Sequence, residues 1–404
     1  MTSMHAFTLY TPTRIFFGSD FLADFAASVA QLGQRALIVT GGGTVARLGY
    51  LDEVRDALSA AGIETFEFSG IEPNPEKETV NRATAYLREV GAQLVVALGG
   101  GSVMDAAKAI AMLATTDDTD IWPYVLGESK AGTLVTALPV VAIPTTAATA
   151  SEVTPYAVIS SRADSGKSVL AHESIKPKVS WLNPAYTTGL SVTVTEDGAA
   201  DILSHVLENY LLGDDAAPLA DRYTEGVITT VLETLPELRQ NPTDLAGRGR
   251  LLWASTMALN GYQMAGRQGS EFVLHSMEHA LSAFRPELAH GRGLATLYPA
   301  YFRWLHASGR AVDRLASLGR RLFGMTGDDA TCSFAFQEAF ETWLEENGLR
   351  QSLGDLGFSE DEYPKIAEYA VRVYGTDGQL NARGPLPVET IVEIFRDTAR
   401  QSRA

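Results

Sequence analysis

Two short apolar runs, Ala36-Leu37-Ile38-Val39-Thr40 and Leu94-Val95-Val96-Ala97-Leu98, each break straight into a glycine triplet, Gly41-Gly42-Gly43 and Gly99-Gly100-Gly101. Apolar runs this short, closed by glycine, are strands buried on both faces, which occur where helices cover both sides of a parallel sheet. Residues 50–61 and 77–90 carry the helical periodicity that such a layer needs, and Glu72-Pro73-Asn74-Pro75 is a rigid connector ahead of the second of them. A further run at 138–143 is closed by Pro144 and the polar pair Thr145-Thr146. Strands alternating with helices predict a doubly wound α/β layer. Past about residue 190 the texture changes, and helical segments at 196–212, 220–235, 250–266, 272–283 and 312–323 replace the strand signals. The expected architecture is an α/β N-terminal dinucleotide-binding domain over 1–185 and an all-helical metal-binding and substrate domain over 186–404, joined near Asn183-Pro184. A chain of 404 residues with 46% hydrophobic content can bury cores of that size.

The glycine triplets also carry chemistry. In Gly99-Gly100-Gly101-Ser102-Val103-Met104-Asp105-Ala106-Ala107-Lys108 the glycines open a helix, so backbone N–H groups can face a pyrophosphate. Gly99, Gly100, Gly101, Ser102 and Asp105 are therefore candidate dinucleotide contacts. The plainer alternative is a tight turn that needs glycine for its backbone alone. Neither triplet fits G-x-G-x-x-G, and a lysine seven residues after Gly101 is not a Walker lysine, which disfavours a P-loop NTPase. At the other turn, Gly41, Gly42, Gly43 and Thr44 offer N–H and hydroxyl donors and lack the carboxylate that takes the ribose 2′-hydroxyl of NAD. NADP(H) is accordingly expected in preference to NAD(H).

Asp201-x-x-x-His205 and, seventy residues on, His275-x-x-x-His279 followed by His290 hold four of the seven histidines. Residues four apart share one helix face, so two helices can offer one carboxylate and two or three imidazoles to one divalent ion. Singly such residues are usually surface pairs or core histidines. Together they point to a catalytic site for iron or zinc. His290 stands in Ala289-His290-Gly291-Arg292-Gly293, where the glycines predict a loop that allows close approach to a ligand. Cys332 is the only cysteine, which rules out an intrachain disulfide and a Cys-based metal site. A formal charge of −17 without a Lys/Arg stripe argues against a nucleic-acid partner. No apolar run approaches the ~18 residues of a membrane span, and the first ten residues lack the features of a secretory leader, so no membrane association and a cytoplasmic location are expected.

Taken together, the Gly99-Gly100-Gly101-Ser102 turn with Asp105 and Lys108, the segment Pro144-Thr145-Thr146-Ala147-Ala148-Thr149-Ala150-Ser151-Glu152-Val153-Thr154, and the Asp/His and His/His helices resemble the iron-containing (group III) alcohol dehydrogenase family, over most of the chain and in the family's order. The resemblance implies a two-domain fold of the dehydroquinate-synthase type with the site between its domains. It also implies metal ligands at Asp201, His205, His275 and His290. His279 matches a histidine beside the nicotinamide and substrate that is usually not a ligand. Thr145, Thr146, Thr149, Thr154 and Lys167 look similar to positions lining the cofactor. Gly41-Gly42-Gly43-Thr44 resembles the NADP-preferring butanol dehydrogenase and aldehyde reductase branch, where other members carry Asp at the Gly41 position. Two departures stand out: the stretch from His279 to His290 is one residue longer, with Ala289 where many have Pro, and Ala150 replaces a Gly often found before Ser-Glu.

The chemistry so implied is hydride transfer between NADP(H) and a primary alcohol or aldehyde through a metal-bound alkoxide. Asp201 would hold the ion, Fe²⁺ with Zn²⁺ as the main substitute, and His279 would relay the proton. A medium-sized aliphatic or aromatic aldehyde is the expected partner. Tyr156 is a candidate substrate contact, whereas Trp253, Tyr262, Phe272 and Phe284 read as core. Other readings compete. His275-Ser276-Met277-Glu278-His279 fits the H-x-x-E-H metalloprotease pattern, with Glu278 as general base, but leaves Asp201 and His205 without a use. A non-catalytic NADP sensor, a glycerol dehydrogenase and a dehydroquinate synthase would share the fold, although residues 250–295 do not provide the Lys and Arg set the last requires. An edge strand over 8–17, interrupted by Pro12, predicts a homodimer.

Overall fold

The computed structural model describes residues 4–163, 166–268 and 271–400. The chain forms two compact units. One comprises Thr11–Leu190 with Thr243–Thr256; the other comprises the segment ending at Tyr10, Ser191–Pro242 and the chain from Met257 onward.

The first unit is built on a six-stranded sheet. In chain order its strands are β1 (Arg14–Phe17), β2 (Arg35–Thr40), β3 (Glu64–Phe68), β4 (Leu94–Gly99) and β5 (Val140–Pro144); β6 (Tyr156–Ser161) and β7 (Gly166–Ala171) form a separate antiparallel hairpin, and β8 (Val179–Leu182) returns to the sheet. The sheet order is β1-β8-β5-β4-β2-β3, all parallel. Every residue of β4 and β5 is buried, because both faces are covered. Leu37, Val39, Val95 and Ala97 face one core with Val80, Met104 and Ile110, while Ala36, Ile38, Val96 and Leu98 face another with Phe25, Val54, Leu58 and Trp181. That double burial is why β2 and β4 read as unbroken apolar runs. From β2 the chain winds outward to β3 and then returns to the opposite side of β2 as β4. The winding therefore reverses between β2 and β4, the point where open α/β sheets take up ligands. The expected strand at 8–17 begins only at Arg14; Pro12 has no N–H to give a ladder, and β1 lies at the sheet edge.

The second unit is helix-rich. Its principal helices are Val192–Leu212, Pro218–Gln240, Val273–Phe284, His290–Ala307, Val312–Phe323, Asp329–Glu346, Tyr363–Tyr374 and Val388–Asp397. It is not all-helical, since Leu380–Asn381 pairs with Pro385–Leu386 in a small antiparallel hairpin. The expected helix at 250–266 is instead Leu245–Ala258 followed by a single turn, Tyr262–Met264, with Gly261 left-handed at φ 97° between them. Val192–Leu212 is capped by Ser191, whose Oγ accepts from the Val194 N–H at 3.2 Å, and from Gly198 to Leu212 it is buried all round, as the central helix of a bundle must be. Among the described residues no helix is long and apolar enough to cross a membrane.

Candidate functional site

Three helices of the second unit converge on one atom. Asp201 and His205 lie one turn apart on Val192–Leu212, His275 lies in the first turn of Val273–Phe284, and His290 is the first residue of His290–Ala307. The Nε2 atoms of His205, His275 and His290 stand 3.6, 3.6 and 3.5 Å from Asp201 Oδ1. These separations are too long for hydrogen bonds. They match the three edges of a coordination tetrahedron that meet at Asp201 Oδ1, since ligands about 2.0–2.2 Å from one ion sit about 3.3–3.6 Å from each other. Asp201 Oδ1 and His275 Nε2 are buried and find no hydrogen-bond partner among the described residues. Two orphaned polar atoms in a dry site are costly unless a cation lies between them. The ligand atoms of Asp201, His205 and His275 all fall within 4.8 Å of one another. The residues present therefore fit a divalent ion, with His290, a quarter of whose side chain is exposed, on the open side.

The electrostatics agree. Burial opposes ionisation of Asp201, but His205, His275 and His290 outweigh it and hold the carboxyl well below the usual carboxylate range. Burial pushes the His205 imidazole down to about 3, against the pull of Asp201, so its ring is neutral at pH 7. Burial also opposes charging of His275, yet Glu208 and Asp201 hold it up at about 10. The field that holds a second proton on this ring is one that a dication would satisfy in that proton's place, with the ring neutral and Nε2 as donor.

The structure corrects the expectation for His290, which begins a helix and does not lie in a loop. Its glycines serve helix packing. A Cβ on Gly291 would lie 1.8 Å from the Asp197 carbonyl oxygen, and one on Gly293 would lie 2.7 Å from Glu278 Cγ. Their absence lets His290–Ala307 press against the backbone that carries Asp201 and against the helix that carries His275. Glu278, the base of the metalloprotease reading, is fully buried; its carboxylate accepts from His290 Nδ1 and from the Ser282 hydroxyl, and it presents no face to water. His279 and His290 both group with Glu278 and not with the Asp201, His205 and His275 cluster, although His290 Nε2 also stands 3.5 Å from Asp201 Oδ1. Its Nδ1 lies 3.2 Å from the Tyr374 hydroxyl, and its ring stacks on His290 with centroids 5.1 Å apart. Sequence reasoning missed Tyr374 and Glu208. For Glu208 a signal existed, because Asp201, His205 and Glu208 repeat at helical spacing.

In the first unit, the two glycine turns flank the reversal of winding. Gly41, Gly42, Gly43 and Thr44 follow β2, with Thr44 opening the one-turn helix Thr44–Arg47. Gly99 ends β4 and Gly101 opens the helix Gly101–Leu113. Thr145 donates its N–H to the Gly99 carbonyl at 3.0 Å. A Cβ on Gly101 would lie 2.5 Å from Thr149 Cγ2, and one on Gly100 would lie 3.1 Å from Thr146 Oγ1. The structure thus brings Gly99, Gly100, Gly101, Ser102, Thr145, Thr146 and Thr149 to one strand-end cluster. Ala150 keeps a left-handed backbone, φ 53°, so the loop holds a glycine-like shape despite the substitution. Asp105 and Thr154 are engaged within the protein. Asp105 accepts from Ser151 Oγ at 2.6 Å and the Val158 N–H at 2.9 Å. Lys108 Nζ donates to Ser151 Oγ, Thr154 Oγ1 and the Tyr156 carbonyl at 2.7, 3.1 and 2.8 Å. Burial pulls this lysine down to about 8 although Asp105 and Glu152 oppose it. Lys167 is buried on β7 opposite Ser160, and Tyr156 is half-buried at the start of β6.

Known proteins share this pattern. Residues 12–184 match the family described as iron-containing alcohol dehydrogenase, and residues 195–399 match the Fe-containing alcohol dehydrogenase family, C-terminal. The chain is 34% identical over 388 residues to NADH-dependent butanol dehydrogenase B of Clostridium acetobutylicum, covering 95% of this chain and 97% of that one. It is 33% identical over 382 residues to NADPH-dependent aldehyde reductase YqhD of Escherichia coli, covering 93% and 97%. The crystal structure of NADH-dependent butanol dehydrogenase A from Thermotoga maritima shares the fold with a TM-score of 0.92 at 31% identity, covering 99% of this chain and 100% of that one. The chain belongs to the iron-containing (group III) alcohol dehydrogenase family, whose members are NAD(P)H-dependent alcohol and aldehyde oxidoreductases. Within that family it falls with the butanol dehydrogenases and the aldehyde reductase.

Proposed function

We propose that this enzyme interconverts a primary alcohol and its aldehyde, exchanging hydride with NADP(H) at a single divalent ion held by Asp201, His205, His275 and His290. The observation that carries the reading is the convergence of three imidazole Nε2 atoms, 3.5–3.6 Å away, on the orphaned Oδ1 of Asp201. When bound, iron(II), or zinc in its place, supplies a Lewis acid that stabilises negative charge on the substrate oxygen during hydride transfer. The protein supplies the rest. Asp201 and neutral His205 give the ion one charge-bearing and one uncharged donor, and burial keeps competing water away. His279 carries the proton of the alcohol, with its ring fixed by the Tyr374 hydroxyl. The backbone N–H groups of Gly99, Gly100, Gly101 and Ser102 take the pyrophosphate at a helix N-terminus. Thr145, Thr146, Thr149, Thr154 and Lys167 border the cofactor, with Asp105 holding their loop through Ser151, and Tyr156 borders the substrate. Gly41, Gly42, Gly43 and Thr44 present no carboxylate to a 2′-phosphate, which favours NADPH.

The test is an assay of bound metal coupled to NADPH and NADH oxidation over a panel of aliphatic and aromatic aldehydes. One ion per chain and a preference for NADPH of at least about tenfold are expected, the worth of about one charge-assisted contact. Equal use of NADH would overturn the cofactor assignment. Replacing His279 with Phe should slow turnover by about 10²–10⁴-fold, the usual contribution of a proton-transfer group, with metal content unchanged. Loss of the ion in that variant would make His279 a ligand. The open edge of β1 is the surface proposed for a homodimer, and a monomer mass in gel filtration would remove it.

A further inference from the structure

We infer that Glu208 and Glu278 are positioning residues of the metal centre, each gripping the Nδ1 of one ligand histidine so that its Nε2 is turned toward Asp201 Oδ1. The inference rests on the metal-site reading above. Glu208 lies three residues past His205 on Val192–Leu212 and reaches across to Val273–Phe284, where its carboxylate accepts from His275 Nδ1 and from the backbone N–H groups of Leu274 and His275. Glu278, on Val273–Phe284, reaches onward in the same way and accepts from His290 Nδ1, while Ser282 Oγ donates to its other oxygen. Val192–Leu212 and Val273–Phe284 thus each supply, besides their own part of the ligand set, a brace to the ligand histidine on another of the three helices.

The side chains of Glu208 and Glu278 are 1% and 0% exposed. A carboxylate withdrawn so far from water costs several kcal/mol unless its lone pairs are used, and here they are used on the ligand rings. An acceptor at Nδ1 keeps the proton there, leaves the Nε2 lone pair free, and raises its donor strength. His205 lacks such a partner: its Nδ1 is buried with no hydrogen-bond partner among the described residues. The three imidazoles are therefore unequal, with His275 and His290 held by carboxylates and His205 held by packing alone. For Glu208 the competing role is purely structural, as a cap on the first N–H groups of Val273–Phe284.

Glu208→Gln and Glu278→Gln, made in the full chain, keep the shape and remove the charge. Zn²⁺ affinity is measured by chelator competition, coordination geometry by the visible spectrum of the Co²⁺-loaded protein, and fold by the melting temperature of the metal-free protein. Each variant is expected to bind Zn²⁺ about 10–100-fold more weakly and to alter the Co²⁺ bands, with its metal-free melting temperature within a few degrees of wild type. Glu208→Asp, which keeps the charge but withdraws it by one methylene, should show the same spectral change and so separates aim from charge. Wild-type Zn²⁺ affinity in both Gln variants overturns the inference, as does a loss of affinity matched by collapse of the metal-free fold in all three. The metal-site reading fails separately, if the wild-type protein takes up no Zn²⁺ or Asp201→Asn leaves its uptake unchanged.

Discussion

Gly291→Ala is expected to strip the metal from the protein and to lower its melting temperature by several degrees, through one added methyl group. The new Cβ would stand 1.8 Å from the Asp197 carbonyl oxygen, 2.5 Å from its carbon and 3.0 Å from its Cα. A carbon and a carbonyl oxygen come no closer than about 3.3 Å even in favourable contacts, so His290–Ala307 must retreat from Val192–Leu212 by more than about 1 Å. No flexible side chain can absorb the movement, because all three neighbours are backbone in the middle of a helix. Overpacking costs about 1–3 kcal/mol and occasionally more, and a backbone clash belongs at the upper end. The retreat also carries His290 Nε2 away from its place 3.5 Å from Asp201 Oδ1, one turn along from Asp197. Calorimetry and elemental analysis read the two effects. A variant with a full complement of metal and an unchanged melting temperature would show that these helices are not in contact as described.

Asp201→Asn should weaken metal binding by about 10²–10⁴-fold, equivalent to the 3–5 kcal/mol lost when one partner of a buried charged set is removed. The three imidazoles all face this one oxygen, and an amide presents either a weaker donor or an N–H in its place. Alcohol oxidation and aldehyde reduction should fall with the metal. The metal-free fold should survive, because Asp201 Oδ1 makes no hydrogen bond among the described residues that could be lost. A dialysed variant that retains one ion per chain with undiminished kcat would place the chemistry elsewhere in the molecule.

Much of this is legible along the chain, and the exceptions have several causes. β2, β4 and β5 were visible because burial on both faces leaves an unbroken apolar run, and Asp201 with His205 because a four-residue spacing is a property of one helix. β3, Glu-Thr-Phe-Glu-Phe, pairs on one side only and alternates, so it carries a weaker signal, and β8 has only four residues. The start of the His290 helix reads as a loop along the sequence because Gly291 and Gly293 lower helix propensity. Packing overrides that propensity: the glycines answer to Asp197 and Glu278, and nothing local announces contacts 94 and 15 residues away in the sequence. The helix Asp329–Glu346 was missed although its cap was written plainly, Asp328 accepting from the Thr331 N–H at 2.8 Å. Glu208 and Glu278 stood in view, at helical spacing from Asp201 and His205 and inside His275-x-x-Glu278-His279, but their reach to His275 and His290 was hidden for the same reason as the glycine contacts, since a brace is defined by what it reaches across space.

The excursion of Thr243–Thr256 into the first unit bears on how such a protein can be divided. Thr256 donates its hydroxyl to the buried Glu152 carboxylate at 2.6 Å, so a gene cut after Leu190 would leave that carboxylate without its donor. The strand-rich half cannot be borrowed by another protein as one contiguous cassette, and recombination that shuffles it must carry along a piece encoded some fifty codons downstream.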